Sequence, residues 1–275
     1  MVNYAKVIEL IINDVKNGYI KTYTLLLLCL FIYLLASCGI EEVFYLNAPT
    51  IAYNTPTYET ADYTAKYVAF RTEESQDDGG AFSFDGTAVY YKIYNNYSTM
   101  ISRNSAIESV NTSSNSSSAA TKVIETYGYK PLGSLSASGS SLGSPLISDS
   151  GESRSVYIRL TTYGNYAPYS ADSFTSKILI GTNSDNGTAP KYIPMRNGNS
   201  KSFDFGRSSS DGFDTSVAAI PSSDDDDVEY GSFSSSGTWY VDMYALAVGH
   251  DNSFTQYYSL VLHLGAIPIV QGVAN

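Results

Sequence analysis

The chain has 275 residues, of which 43% are hydrophobic and 16% charged, so it can bury a sizeable core and is not disordered throughout. Its 16 Lys and Arg stand against 27 Asp and Glu, and the net charge of −11 argues against nucleic acid as a partner, since phosphates call for a basic face. Tyr (25) far exceeds Trp (1), and with abundant Ser this suits twisted strands joined by polar loops.

The first informative segment is Leu25 to Leu35, LLLLCLFIYLL, an apolar run of eleven behind Lys6, Lys16 and Lys21. It has the length of a secretory h-region and falls short of the about 20 residues that a spanning helix needs. Ala36, Ser37, Cys38 and Gly39 follow at once, and Leu35-Ala36-Ser37-Cys38 resembles the lipobox of bacterial lipoproteins. The resemblance implies a signal peptide over 1–37, cut before Cys38, whose sulfur then carries a diacylglyceryl group. It makes Cys38 the lipidation residue and a membrane the partner, in the cell envelope, facing the periplasm or the cell surface. Several acyl chains, at about 0.8 kcal/mol per buried methylene, anchor a protein almost permanently. Cys29 lies in the h-region and leaves with it, so the processed chain has no internal disulfide and no Cys-based metal site.

Beyond Cys38, residues 38–64 read as an anchored segment with a first strand at Val43-Phe44-Tyr45-Leu46, and 65–275 as the main domain. The stretch 65–72 is rich in β-formers and ends in the solvated turn 73–80. Residues 87–94 alternate Val89, Tyr91 and Ile93 on one face. The period then changes, and about 95–153 reads as an insertion with two short helices in Ser-rich loop. The first is 98–110, without Gly or Pro but with scattered apolar positions. The second carries Ala119, Ala120, Val123, Ile124 and Tyr127 on one stripe and stops at Gly128. Strands return at 156–160, with Val156, Ile158 and Leu160 inward, at 177–180 and at 191–193. Residues 208–227 read as polar and mobile, and strands at 239–248 and 257–264 close the chain.

Short strands at this spacing predict a mainly β fold, an antiparallel sandwich. Trp239-x-Val241-x-Met243-x-Ala245 resembles the penultimate strand of fibronectin type III domains, Tyr258 to Leu262 their final strand, and Gly86 to Tyr94 their third. The resemblance implies an immunoglobulin-like sandwich, with Phe70 where that family keeps a Trp. The chain is also similar to the Tyr- and Ser-rich lipoproteins of spirochaetes, a group largely without assigned function.

Candidate chemistry is sparse. Gly139-Ser140-Ser141-Leu142-Gly143 fits G-x-S-x-G, but a nucleophile elbow needs a strand before the Ser and a helix after it, and Pro145 stands where that helix must start. His250 in a turn and His263 on the outward side of the last strand read as surface residues. Asp224 to Asp227 reads as a solvated acidic loop, because consecutive residues of an extended segment point to opposite sides and gather no cation. Asn183 to Gly187 reads as a turn. Tyr163, Tyr166 and Tyr169 fall in one loop-like segment. Since Tyr offers a large amphipathic surface at small entropic cost, they are the candidate ligand loop. The expectation is a non-enzymatic protein without cofactor or metal, binding a protein or glycan or serving as structure. The alternative is a carbohydrate-binding module using the Tyr loop.

Overall fold

The computed structural model describes residues 22–24, 26, 27, 30, 45–54, 56, 65–74, 82–113, 116–136, 138–161, 176–181, 192–196, 198, 200–205, 220–231 and 237–270. The chain divides into two compact units, Met1–Val43 and Phe44–Asn275. In the first, the described residues are helical, and Tyr23, Leu26, Leu27 and Leu30 are exposed. Among the described residues no helix is long and apolar enough to cross a membrane.

The second unit is mainly β, two largely antiparallel sheets packed as a sandwich. One sheet contains β1 (Thr50–Asn54), β2 (Val68–Arg71), β5 (Gly133–Ser136), β7 (Ser155–Arg159), β8 (Lys177–Ile180), β9 (Tyr192–Arg196) and β10 (Lys201–Ser202). The other is built on two long strands, β3 (Phe82–Tyr94) and β12 (Thr238–Asp251), antiparallel over nearly their whole length. The free edge of β12 takes β14 (Leu262–Val270) and then β13 (Gln256–Tyr258). The free edge of β3 is closed piecewise, by β6 (Ile147–Ser148), β4 (Lys130–Pro131) and the parallel β11 (Val228–Glu229). Short pieces leave little continuous edge for another chain to pair with.

Alternation explains the core. Val89, Tyr91 and Ile93 of β3 and Trp239, Val241, Met243 and Ala245 of β12 meet Val68, Phe70, Val156, Ile158 and Ile178 of the opposite sheet. The other face of β3 and β12 is covered too, so these two strands are buried along most of their length, polar residues such as Lys92 and Asp242 included. The cover is α1 (Tyr97–Glu108) and α2 (Ser116–Thr121), the latter continuing as a π-helical turn over Lys122–Thr126. Asn96 caps α1 by accepting from the Thr99 N–H at 2.9 Å. The buried stripe of α1 is Met100, Asn104 and Ile107, which is why its apolar residues looked scattered: the middle of the stripe is an amide. Ala119 and Ala120 of α2 and Val123 of the π-helical turn are the buried side of this helical segment, which begins at Ser116 and ends before Gly128, at φ +64°.

Three expectations need correction. Tyr45 and Leu46 are not strand, and pairing starts at Thr50; Leu46 packs with Phe82, Phe84 and Ala247, so its apolar character serves burial instead. The predicted closing strand 257–264 is two strands. Asn111 occupies the backbone of Val261 between them, donating to its carbonyl at 2.9 Å and accepting from its N–H at 3.0 Å. Finally, 221–227 is not a loose polar tail, because Asp227 is fully buried and Asp225 nearly so. Val43, Phe44 and 183–187 lie outside the described residues.

Candidate functional site

Of the residues singled out from sequence, Cys38, Tyr163, Tyr166 and Tyr169 lie outside the described residues. Ser141 is exposed in a stretch that leaves β5 through a turn in which the Ser136 N–H donates to the Ser140 carbonyl at 2.7 Å, and no helix follows. The elements of a nucleophile elbow are therefore not assembled around it.

Instead, the outer face of the β3–β12 sheet carries the polar groups that come together. One constellation centres on Asp242, in β12 and fully buried. Its carboxylate accepts from Tyr129 Oη at 2.6 Å and Asn104 Nδ2 at 3.2 Å, and His263 Nε2 lies 2.7 Å away. Tyr94 donates to Tyr129 at 3.1 Å, and Tyr244 donates to Asn104 Oδ1 at 3.2 Å. The imidazole of His263 stacks on Tyr244 with centroids 4.7 Å apart. His263 is thus not the simple surface residue its alternation implied, since α1 roofs that side of the sheet.

Burial alone would lower the affinity of His263 for its proton. The Asp242 carboxylate outweighs this and holds the imidazole above its ordinary value. Tyr94, Tyr129 and Tyr244 are pushed the other way from reactivity: burial, with the Asp242 charge behind it, keeps all three phenols protonated. Among the described residues the hydrogen-bond partners of His263 are Asp242 and Asn104. An imidazole so placed resembles the base and orienter of a triad but faces no Ser or Cys nucleophile in that set. The arrangement is a lock between α1 and the sheet.

The second constellation is a cavity of about 380 Å³ toward the other end of the same face. Its polar lining is Asp85 and Tyr90 of β3, Ser144 from the approach to β6, Ser148 of β6 itself, and Gln256 of β13. Ala88, Pro145 and Val248 supply the apolar lining. Both oxygens of Asp85 lie near His250 Nδ1, at 2.9 and 3.1 Å. His250, in β12 rather than a turn, stacks in parallel on Phe254 with centroids 5.4 Å apart. Phe254 is 82% exposed and holds φ +61°, a left-handed conformation costly for a bulky residue. Burial, helped by the nearby Tyr258, pushes the Tyr90 phenol up to about 12.

The four aspartates lie in two successive turns rather than in an extended segment, and they divide into an outward and an inward pair. Asp224 and Asp226 face outward, with Lys130 Nζ 2.9 Å from Asp226, while Asp225 and Asp227 turn inward onto Arg196. The solvated-loop reading is therefore corrected for Asp225 and Asp227, because a buried arginine draws them in. Among the described residues no group of three or more His, Cys, Asp or Glu is placed to hold a metal ion. Arg196 gave no signal in sequence, since it lies beyond the expected strand at 191–193 and closes β9.

No family model, curated protein or solved structure matches the chain.

Proposed function

We propose that this chain is a lipid-anchored protein of a bacterial cell envelope, acting by binding or as structure rather than by catalysis. The observation that carries the reading is the order of basic, apolar and small residues ending in Leu35-Ala36-Ser37-Cys38, with the compact β unit starting at Phe44. A domain so close behind an acylated cysteine sits at the bilayer surface on a short tether. The exposure of Leu26, Leu27 and Leu30 supports the same reading, since a signal h-region finds its apolar partner in the membrane rather than in the protein. A non-catalytic role is supported by the Asp242–His263 pair, whose imidazole is spent on holding α1.

We further infer an immunoglobulin-like, fibronectin type III-related sandwich, supported by Trp239, Val241, Met243 and Ala245, which all face the core from β12 as that resemblance requires. The envelope reading is tested by growing cells with radiolabelled palmitate. Label should enter the protein and be lost in Cys38→Ala, with the unprocessed precursor accumulating. Undiminished label in the Ala variant would overturn it.

A further inference from the structure

We propose that the cavity between Tyr90, Ser144, Ser148 and Gln256 is a binding site for a neutral pyranose ring, a sugar or one residue of a glycan. The proposal takes the binding role above as its starting point, but it does not depend on the lipid anchor or on the loop of Tyr163, Tyr166 and Tyr169.

The geometry favours this class over the others. A volume of about 380 Å³ falls within the range of small-molecule sites, roughly 300–1,000 Å³. Among the described residues, the hydroxyls of Tyr90, Ser144 and Ser148 have no hydrogen-bond partner, and Gln256 spends only Oε1, which accepts from Tyr258 at 2.6 Å. The Gln256 amide N–H groups and three hydroxyls therefore converge on the space with unused capacity, alongside the Asp85 carboxylate. An apolar ligand would strip water from these groups without replacing it. An anion would meet Asp85 and find neither Lys nor Arg among the described lining residues. A ring bearing several hydroxyls, each both donor and acceptor, satisfies a mixed set of this kind.

The apolar lining fits the other half of the ligand. Ala88 and Val248 are buried and form the apolar floor of the cavity, and Pro145, half-buried, is the apolar side chain placed to meet the C–H face of a pyranose. Tyr90 stays protonated at any physiological pH, so its phenol serves as a donor. His250 Nδ1 lies within reach of both Asp85 oxygens, and a carboxylate, with about four acceptor sites, keeps capacity beyond that one contact. Phe254, stacked on His250 by one face, offers its other face to solvent, where a second ring of a longer glycan could stack.

The test uses the full chain in a zwitterionic detergent without a sugar headgroup, because a glucoside or maltoside would compete. Titration calorimetry with a panel of neutral methyl glycosides probes a single ring, and immobilised neutral oligosaccharides probe a chain. We expect saturable binding to at least one methyl glycoside. Its affinity should fall at least about tenfold in Tyr90→Phe and in Gln256→Ala, changes of the size expected for one lost hydrogen bond. Both variants should keep the far-ultraviolet spectrum of the parent. Tighter binding of the oligosaccharide, with the gain lost in Phe254→Ala, would place the site on a glycan chain rather than on a free sugar. Silence across the panel at millimolar glycoside would overturn the proposal while leaving the palmitate result untouched. Binding that survives both cavity variants, or that vanishes only when Tyr163, Tyr166 and Tyr169 are replaced, would overturn it as well.

Discussion

The guanidinium of Arg196 donates through Nε and Nη2 to the two carboxylate oxygens of Asp227, each at 2.8 Å, and both side chains are fully buried. Asp227 also accepts from Tyr91 Oη at 2.7 Å. Arg196 belongs to β9 of one sheet and Tyr91 to β3 of the other, so the carboxylate ties the two layers together across the core. Asp225 extends the tie, accepting from Arg196 at 3.0 Å and from Lys201 at 2.6 Å. Burial works against the charge of Asp225, but the bonds from Lys201, the Ser222 N–H and Arg196 hold its carboxyl below the usual range.

Asp227→Ala leaves the buried Arg196 with Asp225 as its remaining carboxylate partner in the cluster and takes the acceptor from Tyr91 Oη, so it should cost about 3 kcal/mol in urea unfolding, the lower end for a broken buried pair. Replacing both, as Arg196→Met with Asp227→Leu, should recover part of that loss, because two apolar side chains need no partner while Tyr91 Oη still lacks the acceptor that Asp227 supplied. A double variant no more stable than the single one would mean that the pair is not the coupled unit its geometry describes.

His263 should titrate above its ordinary value of about 6.5. A group whose folded-state proton affinity is raised contributes stability that is fully present below the unfolded value and is lost as pH rises through the folded one. The tie between α1 and the sheet should therefore loosen across that window, seen as a falling thermal midpoint relative to His263→Gln. Proton NMR of the imidazole should show the raised midpoint, and Asp242→Asn should move it down, since burial is then opposed only by the weaker pull of Glu108.

Gly86 sits at φ +137°, where an added Cβ would collide with the Ile147 carbonyl of the neighbouring β6. The backbone alone makes Gly86→Ala cost about 1–3 kcal/mol, and the collision adds to it. Because the clash lies at one edge of the cavity segment, limited proteolysis should find the variant cut first near 144–148.

Phe254 offers the opposite experiment. Phe254→Gly should raise stability by about 1 kcal/mol, because the left-handed conformation is free of strain for glycine. A variant that loses stability instead would show that the stacking on His250 outweighs the backbone strain.

Sequence patterning disclosed strands better than it disclosed their endings. Val89-x-Tyr91-x-Ile93 and Trp239-x-Val241-x-Met243-x-Ala245 announce their faces because filling a gap between sheets demands a period of two. The break at Ser259–Val261 was invisible, because the side chain that interrupts pairing there, Asn111, lies 150 positions away. The candidate site was less legible still. Asp85, Tyr90, Ser144, Ser148 and Gln256 share no spacing, and only the pairing of β6 and β13 onto the long strands brings them round one space.

By itself the sequence determined the class of fold and the signal-like order of residues up to Cys38, since both are matters of local composition and period. Tertiary structure alone decided which polar residues would be buried. Asp227, Asp242, Asn104 and Arg196 carry the same chemistry as any surface residue, and only the partners that folding sets beside them make their burial favourable rather than ruinous.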